Sequence, residues 1–129
     1  QIRELGKYWD RNTLKDKGLA ALPSEYRKIY DLLDYLNNCY REPISGVLIE
    51  EQLGGNFDYL NRIFRQTTGK TIFQYLTEVR ISHAKELLGT TSLKISQVSE
   101  KVGFSDESYF SKVFKKMTGM TPMNYMKSR

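Results

Sequence analysis

Residues 59–76 and 109–126 are one pattern written twice at an offset of fifty: Tyr59, Phe64, Thr68, Gly69, Thr71 and Tyr75 recur as Tyr109, Phe114, Thr118, Gly119, Thr121 and Tyr125. Average composition would give about one such coincidence. Most other pairs keep size or charge, with Leu60 matched by Phe110, Arg62 by Lys112, Ile63 by Val113 and Arg65 by Lys115. Such a chain must build one small helical unit twice. Because the repeated unit is basic, its tandem use suits a long, regular, negatively charged partner, and double-stranded DNA is the first candidate.

Composition fits that reading without deciding it. The 129 residues are enough for about one domain with its own core. Cys39 is the single cysteine, which excludes an internal disulfide framework and fits a reducing compartment. No apolar run approaches a membrane span and no signal-peptide pattern opens the chain, so a soluble, cytoplasmic protein with no membrane partner is expected. The chain starts at Gln1 rather than Met, so a further domain upstream is an open expectation. The net charge of +5 is unevenly placed. Residues 25–54 hold six acids against three bases, whereas residues 95–129 hold six bases, Lys101, Lys112, Lys115, Lys116, Lys127 and Arg129, against three acids. The basic potential belongs to the repeated segments.

Residues 1–23 scatter Leu5, Tyr8, Trp9 and Leu14 among charges and glycines, and read as a linker or N-terminal extension with one short helical stretch at most. Residues 24–129 form the domain. Ser24 is a candidate N-cap for a helix carrying Tyr26, Ile29, Tyr30, Leu33, Leu36 and Tyr40 at helical spacing, ended by Pro43. From about 44 to 66 the pattern is helix, glycine-bearing turn, helix: Gly54 or Gly55 ends the first, Asn56 caps the second, and Leu60, Ile63 and Phe64 form a buried stripe that leaves Asp58, Asn61, Arg62 and Arg65 outside. Thr71 and Gln74 have capping-box spacing and open a linking helix over about 72–88, ended by Gly89 and the residues after it. The second helix-turn-helix, over about 95–117, repeats the logic with Gly103 in the turn, Ser105 or Asp106 as cap, and Phe110, Val113 and Phe114 inward. Its turn is one residue longer. Thr121 and Pro122 start a last helix.

A short helix bracing a second that carries polar and basic residues outside is the arrangement that places a helix in a DNA major groove. The run from Ile95 to Lys116, followed by Gly119, Thr121, Pro122 and Tyr125, closely resembles the signature of AraC/XylS-type transcription regulators. Upstream, Tyr59, Leu60, Arg62, Phe64, Gly69, Tyr75, Leu76, Arg80, Ile81 and Ala84 resemble the rest of that family's DNA-binding domain. The resemblance covers about residues 25–129. It implies an all-α fold of about seven helices, two helix-turn-helix subdomains joined by a long linking helix, binding two successive major-groove segments.

Carried over by position, the family's base-reading residues fall on Asp58, Asn61 and Arg62 in the first copy and on Glu107, Ser108, Ser111 and Lys112 in the second. Arg62 suits guanine, whose two acceptors match a guanidinium; Asp58 and Glu107 only accept and suit cytosine amino groups. Arg65, Lys115 and Lys116 fall where phosphate contacts are expected. Two departures stand out. Glu50 and Gly46 occupy positions where the family has alanine and a larger residue, so a first subdomain that is looser or docked differently is expected.

No enzyme is expected. His83 and Cys39 are the lone residues of their kinds and suit structural roles, no phosphate-binding glycine loop is present, and no metal or cofactor is implied. Trp9, Tyr30, Tyr35 and Tyr40 suit packing rather than base stacking. The family resemblance implies activation rather than repression, with RNA polymerase and an upstream sensory or receiver domain as further partners. The competing reading is a protein-interaction module that docks polymerase or a sensory domain with little DNA affinity of its own.

Overall fold

The computed structural model describes residues 23–129. Among them are seven helices and no strand: α1 Ser24–Cys39, α2 Gly46–Leu53, α3 Phe57–Thr68, α4 Ile72–Thr90, α5 Ile95–Lys101, α6 Glu107–Thr118 and α7 Pro122–Lys127. The linker and the aromatic role expected for Trp9 lie outside the described residues. Two compact units divide the rest, one of residues 23–38 and Ile44–Tyr75, the other of Cys39–Pro43 and Leu76–Arg129.

In the first unit α1 begins at Ser24 itself, since the Pro23 carbonyl accepts the Arg27 N–H at 3.0 Å and Pro23 takes the capping position expected of Ser24. Its stripe of Ile29, Leu32, Leu33 and Leu36 is buried, as are Ile49 of α2 and Leu60, Ile63 and Phe64 of α3. Ser45, which the sequence pattern did not single out, caps α2 by accepting the Leu48 N–H. Asn37 joins α1 to the start of α4, donating to the Tyr75 hydroxyl at 2.9 Å.

The helix α4 opens with the expected capping box: Thr71 Oγ1 accepts the Gln74 N–H, and Gln74 Oε1 accepts the Thr71 N–H. It runs two residues past Leu88, through Gly89. Side chains satisfy the carbonyls of its last turn, with Thr90 donating to Glu86 O, Thr91 to Leu87 O, and Arg129 to Leu88 O and Thr91 O, so the helix does not need to stop at glycine. Its 19 residues correspond to about 28 Å of rise.

The second unit packs Val98 and Val102 with Phe104, Phe110 and Phe114, all buried. Val113, expected inward with them, is half-buried. Arg80 clamps the segment that follows α1, donating from Nε to Tyr40 O at 2.8 Å and from Nη2 to Glu42 O at 2.9 Å. Burial lowers the pKa of its guanidinium. Tyr40 in turn stacks on His83 with centroids 4.0 Å apart, which gives the lone histidine a packing role.

Five of the six repeated identities build the same scaffold in each unit. Phe64 meets Tyr75 edge-on at 5.7 Å, and Phe114 meets Tyr125 edge-on at 5.4 Å. The Thr68 hydroxyl donates to Phe64 O and accepts the Lys70 N–H, and Thr118 does the same with Phe114 O and the Met120 N–H. Gly69 and Gly119 both end their helices in the left-handed region at φ 82°. Thr121 caps α7 at Asn124 N–H as Thr71 caps α4.

Candidate nucleic-acid interface

The exposed face of α3 is set by what anchors its first turn. Asn56 caps the helix by accepting the Tyr59 N–H at 3.1 Å, and Glu50, reaching from α2, accepts the Phe57 N–H at 2.7 Å. Two of the helix's first N–H groups are thereby satisfied. A carboxylate there also complements the positive end of the helix dipole. Gly46 fits the same arrangement, because a Cβ at that position would stand 3.2 Å from Cγ of the Phe57 ring. In place of the looseness expected, the two departures complement each other: the small residue admits the Phe57 ring and the carboxylate holds the Phe57 N–H.

With its start fixed, α3 turns about 100° per residue, so Asp58, Arg62 and Arg65 fall in one row. All three are exposed, and together with Asn61 and Gln66 they line a shallow depression of about 480 Å³. Gln66 was not singled out by sequence; its place one turn beyond Arg62 was the signal. Asn61 differs from the rest of the row. It is half-buried, and its Oδ1 accepts the Ile72 N–H at 2.9 Å, which satisfies the first turn of α4.

The second helix, α6, is anchored by Asp106 rather than Ser105, whose neighbour's carboxylate accepts the N–H groups of Ser108 at 2.8 Å and Tyr109 at 3.3 Å. Before it, α5 is closed by the turn at Gly103, φ 101°, with Gly103 N–H donating to Glu100 O and Phe104 N–H to Ser99 O, a paired closure that needs the left-handed glycine. Ser108, Lys112 and Lys115 then fall in a row equivalent to Asp58, Arg62 and Arg65. They are exposed, as are Glu107 and Lys116, while Ser111 is half-buried. Arg129, counted by sequence among the basic residues of this region, is occupied at the end of α4.

A larger depression, about 790 Å³, is lined in the second unit by residues including Tyr40, Arg41, His83, Glu86 and Lys101, and none of the expected site residues lines it. Among the described residues, no group of three or more His, Cys, Asp or Glu side chains is placed to hold a metal ion, and no helix is long and apolar enough to cross a membrane.

Residues 51–128 match the model of a helix-turn-helix domain family. The chain is 39% identical over 115 residues to the HTH-type transcriptional activator RhaR of Salmonella schwarzengrund, an alignment that takes in 89% of this chain. It spans 36% of the length of that relative. Among solved structures, the C-terminal domain of AraT, a response regulator from Geobacillus stearothermophilus, is similar at a TM-score of 0.76 and 30% identity over 79% of this chain and 85% of that one. A transcriptional regulator with an AraC-type DNA-binding domain from Chromobacterium violaceum is similar at a TM-score of 0.71 and 28% identity, over 78% of this chain and 90% of that one.

Proposed function

This chain belongs to the AraC-type helix-turn-helix family of transcription regulators, not to a family of enzymes, and we propose that it binds double-stranded DNA in a sequence-specific way through α3 and α6. The observation that carries the reading is the matched pair of exposed rows, Asp58, Arg62 and Arg65 on one helix and Ser108, Lys112 and Lys115 on the other, each set on an equivalent scaffold.

Within each row the roles divide by chemistry. Arg62 and Lys112 take acceptors on guanine, Asp58 and Glu107 take cytosine amino groups, and Ser108 and Ser111 take either donors or acceptors. Asn61 contributes through its Nδ2 donors, because its Oδ1 holds Ile72. Arg65, Lys115 and Lys116 hold phosphates and fix register without reading sequence. Since the two rows differ residue by residue, the site they read is non-palindromic.

The likeness to a named activator supports activation, with RNA polymerase as a partner, and the likeness to the C-terminal part of a response regulator supports a receiver or other sensory domain upstream of Gln1. The place of action is then the cytoplasm. Selection of binding sites from random duplexes by the 129-residue chain tests the proposal. Enrichment of a two-box, non-palindromic sequence supports it; recovery of no enriched sequence favours a module that only docks other proteins.

A further inference from the structure

We propose that Tyr59 is a positioning residue for Arg62, holding its guanidinium in the orientation that reads a base. The guanidinium carbon of Arg62 lies 5.3 Å from the centroid of the Tyr59 ring, three residues earlier on α3. A ring attracts the guanidinium through its charge and takes up none of its N–H donors, and it is those donors that pair with the two acceptors of guanine. The ring contact and base reading are therefore compatible in one conformation. An exposed arginine otherwise samples many rotamers, and a ring that holds it reduces what must be ordered on binding.

Tyr59 is itself held. It is half-buried, which limits the freedom of the ring, and its hydroxyl makes only a long contact, 3.5 Å, to Oε1 of Glu25 on α1. The repeat supplies an internal comparison. Tyr109, the matching tyrosine, is 55% exposed and tilts against Phe104 at 6.1 Å, and the residue three positions on is Lys112. An ammonium is a point charge with no plane to orient, so the second copy has no guanidinium for a ring to orient. Tyr59 and Tyr109 thus meet different neighbours in the two copies.

The inference rests on the base-reading role proposed above for Arg62, and the test separates the two. Affinities of Tyr59→Phe, Tyr59→Leu, Arg62→Ala and the Tyr59→Leu/Arg62→Ala double variant are measured on the preferred duplex and on duplexes substituted at each base pair. Arg62→Ala identifies the base pair that it reads, as the one where the preference collapses. At that pair Tyr59→Phe retains the preference, whereas Tyr59→Leu lowers it about two- to five-fold, the range of a cation–π contact at an exposed site. In the Arg62→Ala background the leucine changes no preference. A loss of folding alone lowers affinity for every duplex and leaves these ratios unmoved. If Arg62→Ala collapses a preference and Tyr59→Leu does not, or if the leucine acts equally without Arg62, positioning is overturned while base reading stands. If Arg62→Ala collapses none, both are overturned.

Discussion

Asn61 Oδ1 accepts the Ile72 N–H at 2.9 Å, and fifty residues later the matching pair is Ser111 and Pro122, where the ring nitrogen has no hydrogen to donate. The copy whose closing helix begins with a free N–H has an amide to receive it; the copy that begins with proline does not need one. Asn61→Ala is expected to lower the unfolding free energy by about 1 kcal/mol, the usual cost of losing such a capping acceptor, and Ser111→Ala by no more than a few tenths. Urea unfolding of the two variants checks this; equal losses would remove the asymmetry.

The carboxylate of Glu50 supports the first turn of α3. Glu50→Ala leaves the Phe57 N–H without its 2.7 Å acceptor and is expected to cost about 1 to 2 kcal/mol, while Glu50→Gln, which keeps an acceptor oxygen, costs less than about half as much. Thermal unfolding distinguishes the pair, and a glutamine variant as unstable as the alanine would assign the effect to charge rather than to the hydrogen bond.

Gly103 is fixed by both conformation and space. Its φ is 101°, and an added Cβ would lie 2.5 Å from Tyr40 O and 2.8 Å from Arg80 Nε. Gly103→Ala is expected to destabilise by about 2 kcal/mol or more through strain and displacement of the Arg80 clamp. Gly119→Ala shares the left-handed φ but meets nothing within 4 Å, so it should cost less. A circular-dichroism melt of both variants measures the difference.

Much of this was legible in the sequence because it depends on local chemistry. The buried triplet of Leu60, Ile63 and Phe64, the Thr71–Gln74 box, the Asn56 cap and the left-handed glycines at 69 and 119 follow from periodicity and from which residues tolerate φ > 0. What escaped depends on contacts across the chain. Glu50 looked like a liability on its own helix, and only its reach to Phe57, seven residues on, makes it a cap. Arg80 stands out in the sequence only through the family resemblance, yet its work is to bind carbonyls some forty residues earlier. The six repeated identities mark the repeat without saying what each residue does. Five of the six build scaffold, and the exposed rows that differ between copies are the candidates for specificity.

Reading and holding should separate by mutation. In the proposed role Arg62 makes a bidentate base contact, so Arg62→Ala is expected to cost about 1 to 3 kcal/mol on the preferred duplex and much less on duplexes altered at that base pair. In the proposed role Lys116 faces a phosphate, so Lys116→Ala should weaken all duplexes by a similar factor and flatten the salt slope by about one unit. Fluorescence anisotropy against single-base variants measures both, and uniform losses for Arg62→Ala would reassign it to the backbone.

The central claim, that the exposed rows of α3 and α6 bind duplex DNA, is tested most directly by the affinity of the unmodified chain for its selected duplex across a range of salt concentrations. Phosphate contacts from Arg65, Lys115 and Lys116 alone give a slope of log affinity against log salt of about −2.7, and further contacts steepen it. A slope near zero, or a slope of that size with equal affinity for every duplex sequence, would contradict the account.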